Sequence, residues 1–332
     1  MYVYGIDICP IIKALIALAL VGFLTVVALV KFYNVVTCGY FKSRVKMDGK
    51  TVIVTGASGG IGKETVRELA KRGARVILAC RNLDKAQKVR DEIAEETKNE
   101  SLIVKKLDLS SLKSVREFAE DILQSEQRLD VLIHNAGTAE KKLIKTEDGL
   151  ELTMATNHFG PFLLTHLLID LLKRSAPARI VVVASSLYQL TSLDLNNINP
   201  SSSWFPPWIY YPSKYANICF TLELARRLEG TGVTANCLHP GLIDSGIWRN
   251  VPVPLNWPTN LIAKCFFKTP QQGCQTTVML ACSDELKEVT GKYFMDCKEH
   301  TLNRGVSDVS KAKKLWELSE ELVKLKPTDP KI

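Results

Sequence analysis

The chain has no Cys-x-x-Cys pair, and its nine cysteines, an odd number, follow no regular spacing. That pattern excludes a disulfide framework. Cys80, Cys219 and Cys237 sit in apolar runs, where cysteine packs as a small hydrophobe, and the usage is that of a reducing compartment. No block of arginines interleaved with aromatics is present, and the net charge of +8 is spread along the chain. Nucleic acid is therefore not an expected partner, and the basic surplus reads as a solvated surface. No metal site is expected either. Internal repeats and low-complexity segments are missing as well. What remains is a chain of 332 residues, 46% of them hydrophobic, able to bury one large α/β core without a second domain.

Charge is missing altogether from Ala14 to Val30. As a helix this run measures about 26 Å, and with Ile11, Ile12 and snorkelling Lys13 and Lys31 it reaches bilayer thickness. It is long for a cleaved signal, the following YFKSRVK is a poor cleavage context, and it has no polar face to suit a buried core helix. Lys31, Lys42, Arg44, Lys46 and Lys50 follow the run, whereas Lys13, offset by Asp7, is the only basic residue before it. By the positive-inside rule the large C-terminal portion faces the cytosol. Residues 1–31 thus read as a membrane anchor crossing once, and 32–48 as a basic linker. Without an arginine-rich amphipathic N-terminus, the endoplasmic reticulum is the expected membrane.

The rest of the chain is organised around Lys50 to Gly62, KTVIVTGASGGIG. Strand character from Thr51 to Thr55 runs into Gly56, Gly60 and Gly62, and a helix-compatible run follows at Lys63. Gly56 permits a sharp turn, Gly60 a close backbone approach to phosphates, and Gly62 close packing of helix on strand. The helix amino terminus then offers free N–H groups and a positive dipole end to a pyrophosphate. Strands are predicted over 51–55, 75–79, 102–106, 131–134, 180–184 and 234–238. Helices are predicted near 63–72, 84–97, 112–124, 147–173 and 212–228, with a tail helix over 310–326. This alternation predicts one α/β domain, a doubly wound (Rossmann) parallel sheet covered on both faces. Along the tail, Leu315, Leu318, Leu322 and Leu325 form a packing stripe.

An acidic residue is also missing where an NAD site would want one, at the end of the second strand. The chain reads Ala79-Cys80-Arg81 there, with Lys85 one turn further on, and this cation pair suits the 2′-phosphate of NADP(H). Further candidates stand at strand ends: Asn135-Ala136-Gly137 after the fourth strand, Ser185 and Ser186 after the fifth. Asn157 is a polar residue on an apolar helical stripe. Tyr210 and Lys214, at i and i+4, share one face of the next helix, whose first turn tolerates Pro212. Such a set fits hydride transfer to a carbonyl. The reaction needs a proton delivered to the carbonyl oxygen, a neighbouring ammonium lowers a tyrosine pKa from near 10, and a serine hydroxyl steadies the developing charge.

From about Gly49 to Leu325 the chain resembles the short-chain dehydrogenase/reductase family. TGASGGIG, NAG, the helix asparagine, the strand-end serine, YxxxK and His239-Pro240-Gly241 stand in the family order. Within the family, LACRN, TNHFGPFLLT, SKYANICFTLELARRLEGTGVT, GKYFMDCKE and the LWELSEEL tail are similar to the membrane-anchored retinol dehydrogenase (retinal reductase) group. The glycine loop departs from that group in carrying Ser58-Gly59 where Asn-Ser is usual. The resemblance implies a catalytic tetrad of Asn157, a serine, Tyr210 and Lys214. Ungapped counting from Arg179 favours Ser185, and Ser186 stays open. Lys214 would also hold the nicotinamide ribose, and Asn157 would help position a water in the proton relay. The implied cofactor contacts are Gly56, Ser58, Gly60, Ile61, Gly62, Arg81, Asp108 by the adenine, Asn135, Ala136, Gly137, Tyr210, Lys214, Pro240, Gly241, Ile243 and Ser245.

The expectation is thus a catalytic domain over 49–326, a substrate lid over 245–268 and a short tail, 327–332. Its substrate would be a lipophilic carbonyl or alcohol such as retinal, or else a steroid, fatty aldehyde or quinone. A non-catalytic nucleotide-binding membrane protein is the reading from another class, and the intact tetrad speaks against it. Asn99-Glu100-Ser101 is a glycosylation sequon in a polar, exposed-looking stretch, and it should stay bare if the domain is cytosolic.

Overall fold

Runs rich in β-branched residues form the strands, as expected for elements buried on both faces. They are Thr51–Thr55 (β1), Arg75–Cys80 (β2), Leu102–Lys106 (β3), Val131–His134 (β4), Ala178–Val183 (β5) and Val233–His239 (β6). Two short strands complete the sheet, Tyr293–Met295 (β7) and Lys298–His300 (β8). The computed structural model describes residues 2–3, 6–7, 9–203, 205–243 and 267–332. The strand order is β8-β7-β6-β5-β4-β1-β2-β3, parallel throughout except for the antiparallel β7–β8 edge. The order reverses between β1 and β4, which opens a crevice at their carboxyl ends.

Alternation along the strands splits the core in two. Ile53, Ile77, Leu132 and Ile180 face one side, toward the helices Leu112–Ser125 (α4), Gly160–Arg174 (α5) and Tyr210–Arg227 (α6). Val52, Val54, Leu78, Ile133 and Val181 face the other, toward Gly60–Lys71 (α2) and Leu83–Thr97 (α3). On that second side Val278 and Leu280 come from a later helix, Gln275–Cys282 (α7). The tail helix Val309–Leu322 (α8) is capped by Asp308, whose carboxylate accepts from Ser310 and Lys311 N–H. It buries Leu315 and Trp316 beside Phe162 and Phe220, with Leu318, Leu322 and Leu325 packed on the same core.

Three elements differ from the sequence reading. The helix predicted over 147–173 starts at Leu152, because Gly149 (φ +82°) and the Glu151 carboxylate, which accepts from Met154 N–H at 2.8 Å, set a turn and cap there. It also widens into a π-turn over Ala155–Phe159 before α5 begins. The β7–β8 hairpin has no Asn-Gly signal: Asp296 and Cys297 supply the two positive-φ turn residues.

The third difference is the linker. The N-terminal helix Cys9–Thr37 (α1) is long and apolar enough over Ile12–Thr37 to cross a membrane. After it, Cys38 and Met47 are buried, Phe41 N–H donates to Gln275 Oε1 at 3.2 Å, and Arg72 lies over the Phe41 ring at 5.7 Å. Residues 38–47 therefore lie against α2, α7 and the β7–β8 turn. The sequon asparagine is engaged too: Asn99 Nδ2 donates to the Ala70 and Ala74 carbonyls, 3.0 Å each. The seven cysteines with described side chains are all free. Of the lid range only Phe267 and Lys268 fall among the described residues, and Ser245 lies outside them.

Candidate active site

A cleft of about 820 Å³ follows the carboxyl edge of the sheet from the glycine loop to the start of α6. At its nucleotide end Gly56 adopts φ +68°, and a Cβ there would come within 2.9 Å of Ala136 Cα. A Cβ on Gly62 would collide with the Gly56 carbonyl and Asn135 Nδ2. Only glycine lets α2 start this close to β1 and β4. Thr55 ties the two strand ends together: its hydroxyl accepts from Asn135 and Ala136 N–H at 3.0 and 3.1 Å and donates to Ile133 O at 3.3 Å. Sequence reading passed over Thr55 because its role is visible only across strands.

Arg81 stands exposed where β2 ends, and Asn82 caps α3 by accepting from Lys85 N–H at 2.8 Å. The Lys85 ammonium leans over the glycine loop, 3.3 Å from where a Gly59 Cβ would be. Asp108 borders the same end, its carboxylate accepting from the Ser110 hydroxyl at 2.6 Å. Positive charge, open helix N–H groups and a backbone cradle fit the phosphates of a dinucleotide. Ser58, Gly60, Ile61, Gly137, Pro240, Gly241 and Ile243 line the cleft as well.

At the other end the cleft holds Ser185, Tyr210 and Lys214. Tyr210 opens α6 and faces the same end of the cleft as Ser185, which caps the following 3₁₀ turn by accepting from Leu187 N–H at 3.2 Å. Ser186 turns the other way, its hydroxyl 3.1 Å from His239 Nε2. Lys214 lies over the Tyr210 ring, 5.6 Å from its centre, and donates to Val183 O at 2.8 Å. Asn157 sits behind Gly137 rather than in the cleft wall, within the π-turn. Its Oδ1 accepts from Thr138 N–H at 2.8 Å, and its Nδ2 donates to Thr138 O and the Ser213 hydroxyl, 2.9 Å each. Ser213 in turn donates to Tyr210 O at 2.7 Å, so Asn157 and Tyr210 share a brace that no motif signalled.

The expected depression of Tyr210 by Lys214 is not found in this arrangement. Burial pushes the Tyr210 phenol up to about 12, against a downward pull from Ser185. Burial likewise brings the Lys214 ammonium down to about 8. The lysine is bonded to the strand-end carbonyl rather than to the phenol, so the tyrosine keeps its proton at neutral pH.

A model of the family described as short chain dehydrogenase matches residues 50–254. Human retinol dehydrogenase 14 is 47% identical over 294 residues, covering 84% of this chain and 88% of its own. Human retinol dehydrogenase 11 is 43% identical and covers 93% and 96% respectively. Among solved structures, Pseudomonas aeruginosa RhlG in an NADP active-site complex superposes with a TM-score of 0.61 at 25% identity, covering 75% of this chain and 95% of RhlG. With its sheet order, glycine loop and strand-end cleft, this chain belongs to the short-chain dehydrogenase/reductase family of oxidoreductases, with retinol dehydrogenases among its relatives.

Proposed function

We propose that the protein is a membrane-anchored, NADPH-dependent reductase of a lipophilic aldehyde, all-trans-retinal or one like it. The observation that carries this reading is that Ser185, Tyr210 and Lys214 meet at one end of a cleft that also holds a phosphate-suited loop. The retinoid relatives support the substrate class, and the NADP complex of the P. aeruginosa protein supports the cofactor. Arg81 and Lys85 would hold the 2′-phosphate, the α2 amino terminus the pyrophosphate, and Lys214 the nicotinamide ribose.

Bound NADPH supplies the hydride; the side chains handle the oxygen. Ser185 donates to the substrate oxygen and steadies the charge that grows there. Tyr210, protonated at neutral pH, delivers its proton to that oxygen. Lys214 holds a positive charge beside the phenol while the proton leaves, and Asn157, locked on Thr138, keeps the loop behind them in place. The apolar helix would anchor the domain on the cytosolic side of the endoplasmic reticulum.

Tyr210→Phe keeps the ring and removes the proton donor. NADPH binding should persist while turnover of a retinal-like aldehyde falls roughly 100- to 10,000-fold. Near-normal turnover in the purified variant would remove Tyr210 from the mechanism.

A further inference from the structure

The catalytic end of the cleft contains a charge that the proposed chemistry does not use. Gly137 marks this end: a Cβ there would lie 3.4 Å from Lys214 Nζ and 3.5 Å from Asn157 Oδ1. The next residue, Thr138, is clamped by Asn157 through both its N–H and its carbonyl. Its hydroxyl then donates to Glu140 Oε1 at 2.6 Å. Glu140 is thereby tethered, a half-buried carboxylate on the cleft wall, to the loop that carries the reacting centre. The neighbouring wall is apolar, with Leu152, Leu187, Phe205, Pro207 and Leu242. Arg81, Lys85 and Asp108 belong to the nucleotide end, so the charged side chains that line this end, among the described residues, are Lys214 and Glu140.

We propose that Glu140 is a specificity-determining residue that turns anionic carbonyl compounds away and favours neutral or hydrogen-bond-donating tails. The inference rests on the reductase reading above. Left alone, the Lys214 ammonium would draw any carboxylate-bearing lipid into an otherwise apolar channel. A fixed carboxylate on the wall offsets that attraction and repels a second carboxylate strongly where water is scarce. The Thr138 bond uses a fraction of the acceptor capacity of Glu140, which leaves it able to receive a donor from a substrate hydroxyl.

The test uses the full-length protein in detergent with NADPH and three aldehydes of equal chain length, ending in methyl, hydroxyl or carboxylate. For the wild type, kcat/KM for the carboxylate should lie roughly tenfold or more below that for the methyl compound, with the hydroxyl compound at least equal to the methyl. Glu140→Gln keeps an acceptor for Thr138 and removes the charge. It should raise the carboxylate-to-methyl ratio by roughly tenfold, chiefly through KM, and lower the hydroxyl-to-methyl ratio. A purely structural Glu140 would lower all three rates together and leave both ratios unchanged, and that result overturns the inference. So does a wild type that treats carboxylate and methyl compounds alike. If the wild type reduces none of the three, the reductase reading itself falls, and the inference with it.

Discussion

Acid should destabilise this protein well before its carboxylates are protonated. Three of its histidines are buried so deeply that burial alone holds their imidazoles neutral: His134 down to about 3, His158 and His239 down to about 4. Each keeps a hydrogen bond on one ring nitrogen, to Thr165, Ser319 and Ser186 respectively. The direction follows from linkage. As pH falls through the ordinary value of 6.5, the unfolded chain takes up these protons and the folded chain does not, so stability is lost between about pH 6.5 and the folded values. At pH 5 each such histidine has cost about 2 kcal/mol, of which hardly any is felt at pH 7. A folded value one unit higher would change that figure little. Together the three remove about 5–6 kcal/mol over two pH units, comparable with the whole stability of many domains.

The carboxylates do not mimic this loss. Asp130 and Glu223 are held below their usual range by Arg128 and by Arg226 with Arg227, so they stay ionised throughout that window. Glu151, pushed up by burial, offsets a part by taking up a proton in the folded state. Urea unfolding of the full chain in detergent, followed by tryptophan fluorescence at pH 7, 6 and 5, measures the effect. His158→Gln should flatten the slope by about 2 kcal/mol over the interval, whatever its stability at pH 7. A free energy that stays level from pH 7 to 5, or a variant curve parallel to the wild type, would refute the reasoning.

Ser185→Ala should abolish most turnover, because Ser185 lines the cleft with Tyr210, whereas Ser186→Ala should be milder, because Ser186 bonds His239; inactivity of the second variant alone reverses the assignment. Changing Arg81 to Asp should shift the NADPH-to-NADH ratio of kcat/KM at least about tenfold towards NADH, as loss of a charge-assisted hydrogen bond implies. An unmoved ratio would leave the phosphate to Lys85 or another group. Protease added to intact microsomes should digest the large domain and spare a short anchor fragment, and a protected domain would reverse the orientation. Absence of a glycan on Asn99 is a weaker reporter, since its amide is already bonded to two carbonyls.

Sequence by itself determined the alternating strands and helices, the glycine loop, the apolar N-terminal helix and the family, because each depends on residues close together in the chain. Periodicity placed Ile53 and Val54 on opposite faces of the sheet, and strand–turn–helix order placed Gly56 and Gly62 where close approach demands glycine. Other features depended on contacts between distant segments. Which serine faces the cleft depends on the fold: Ser185 lines it with Tyr210, while Ser186 meets His239 on β6. Thr55 and Ser213 matter because they join a strand end or helix turn to something many residues away, and no spacing reports that. Residues 38–47 looked like a linker, since their basic side chains suit solvent, yet Phe41, Val45 and Met47 find apolar partners once α2 and α7 lie side by side. Lys214 shows the difference most plainly. Its spacing from Tyr210 is local and was legible, but the burial that lowers its pKa and the Val183 carbonyl that takes its hydrogen bond are both products of the tertiary fold.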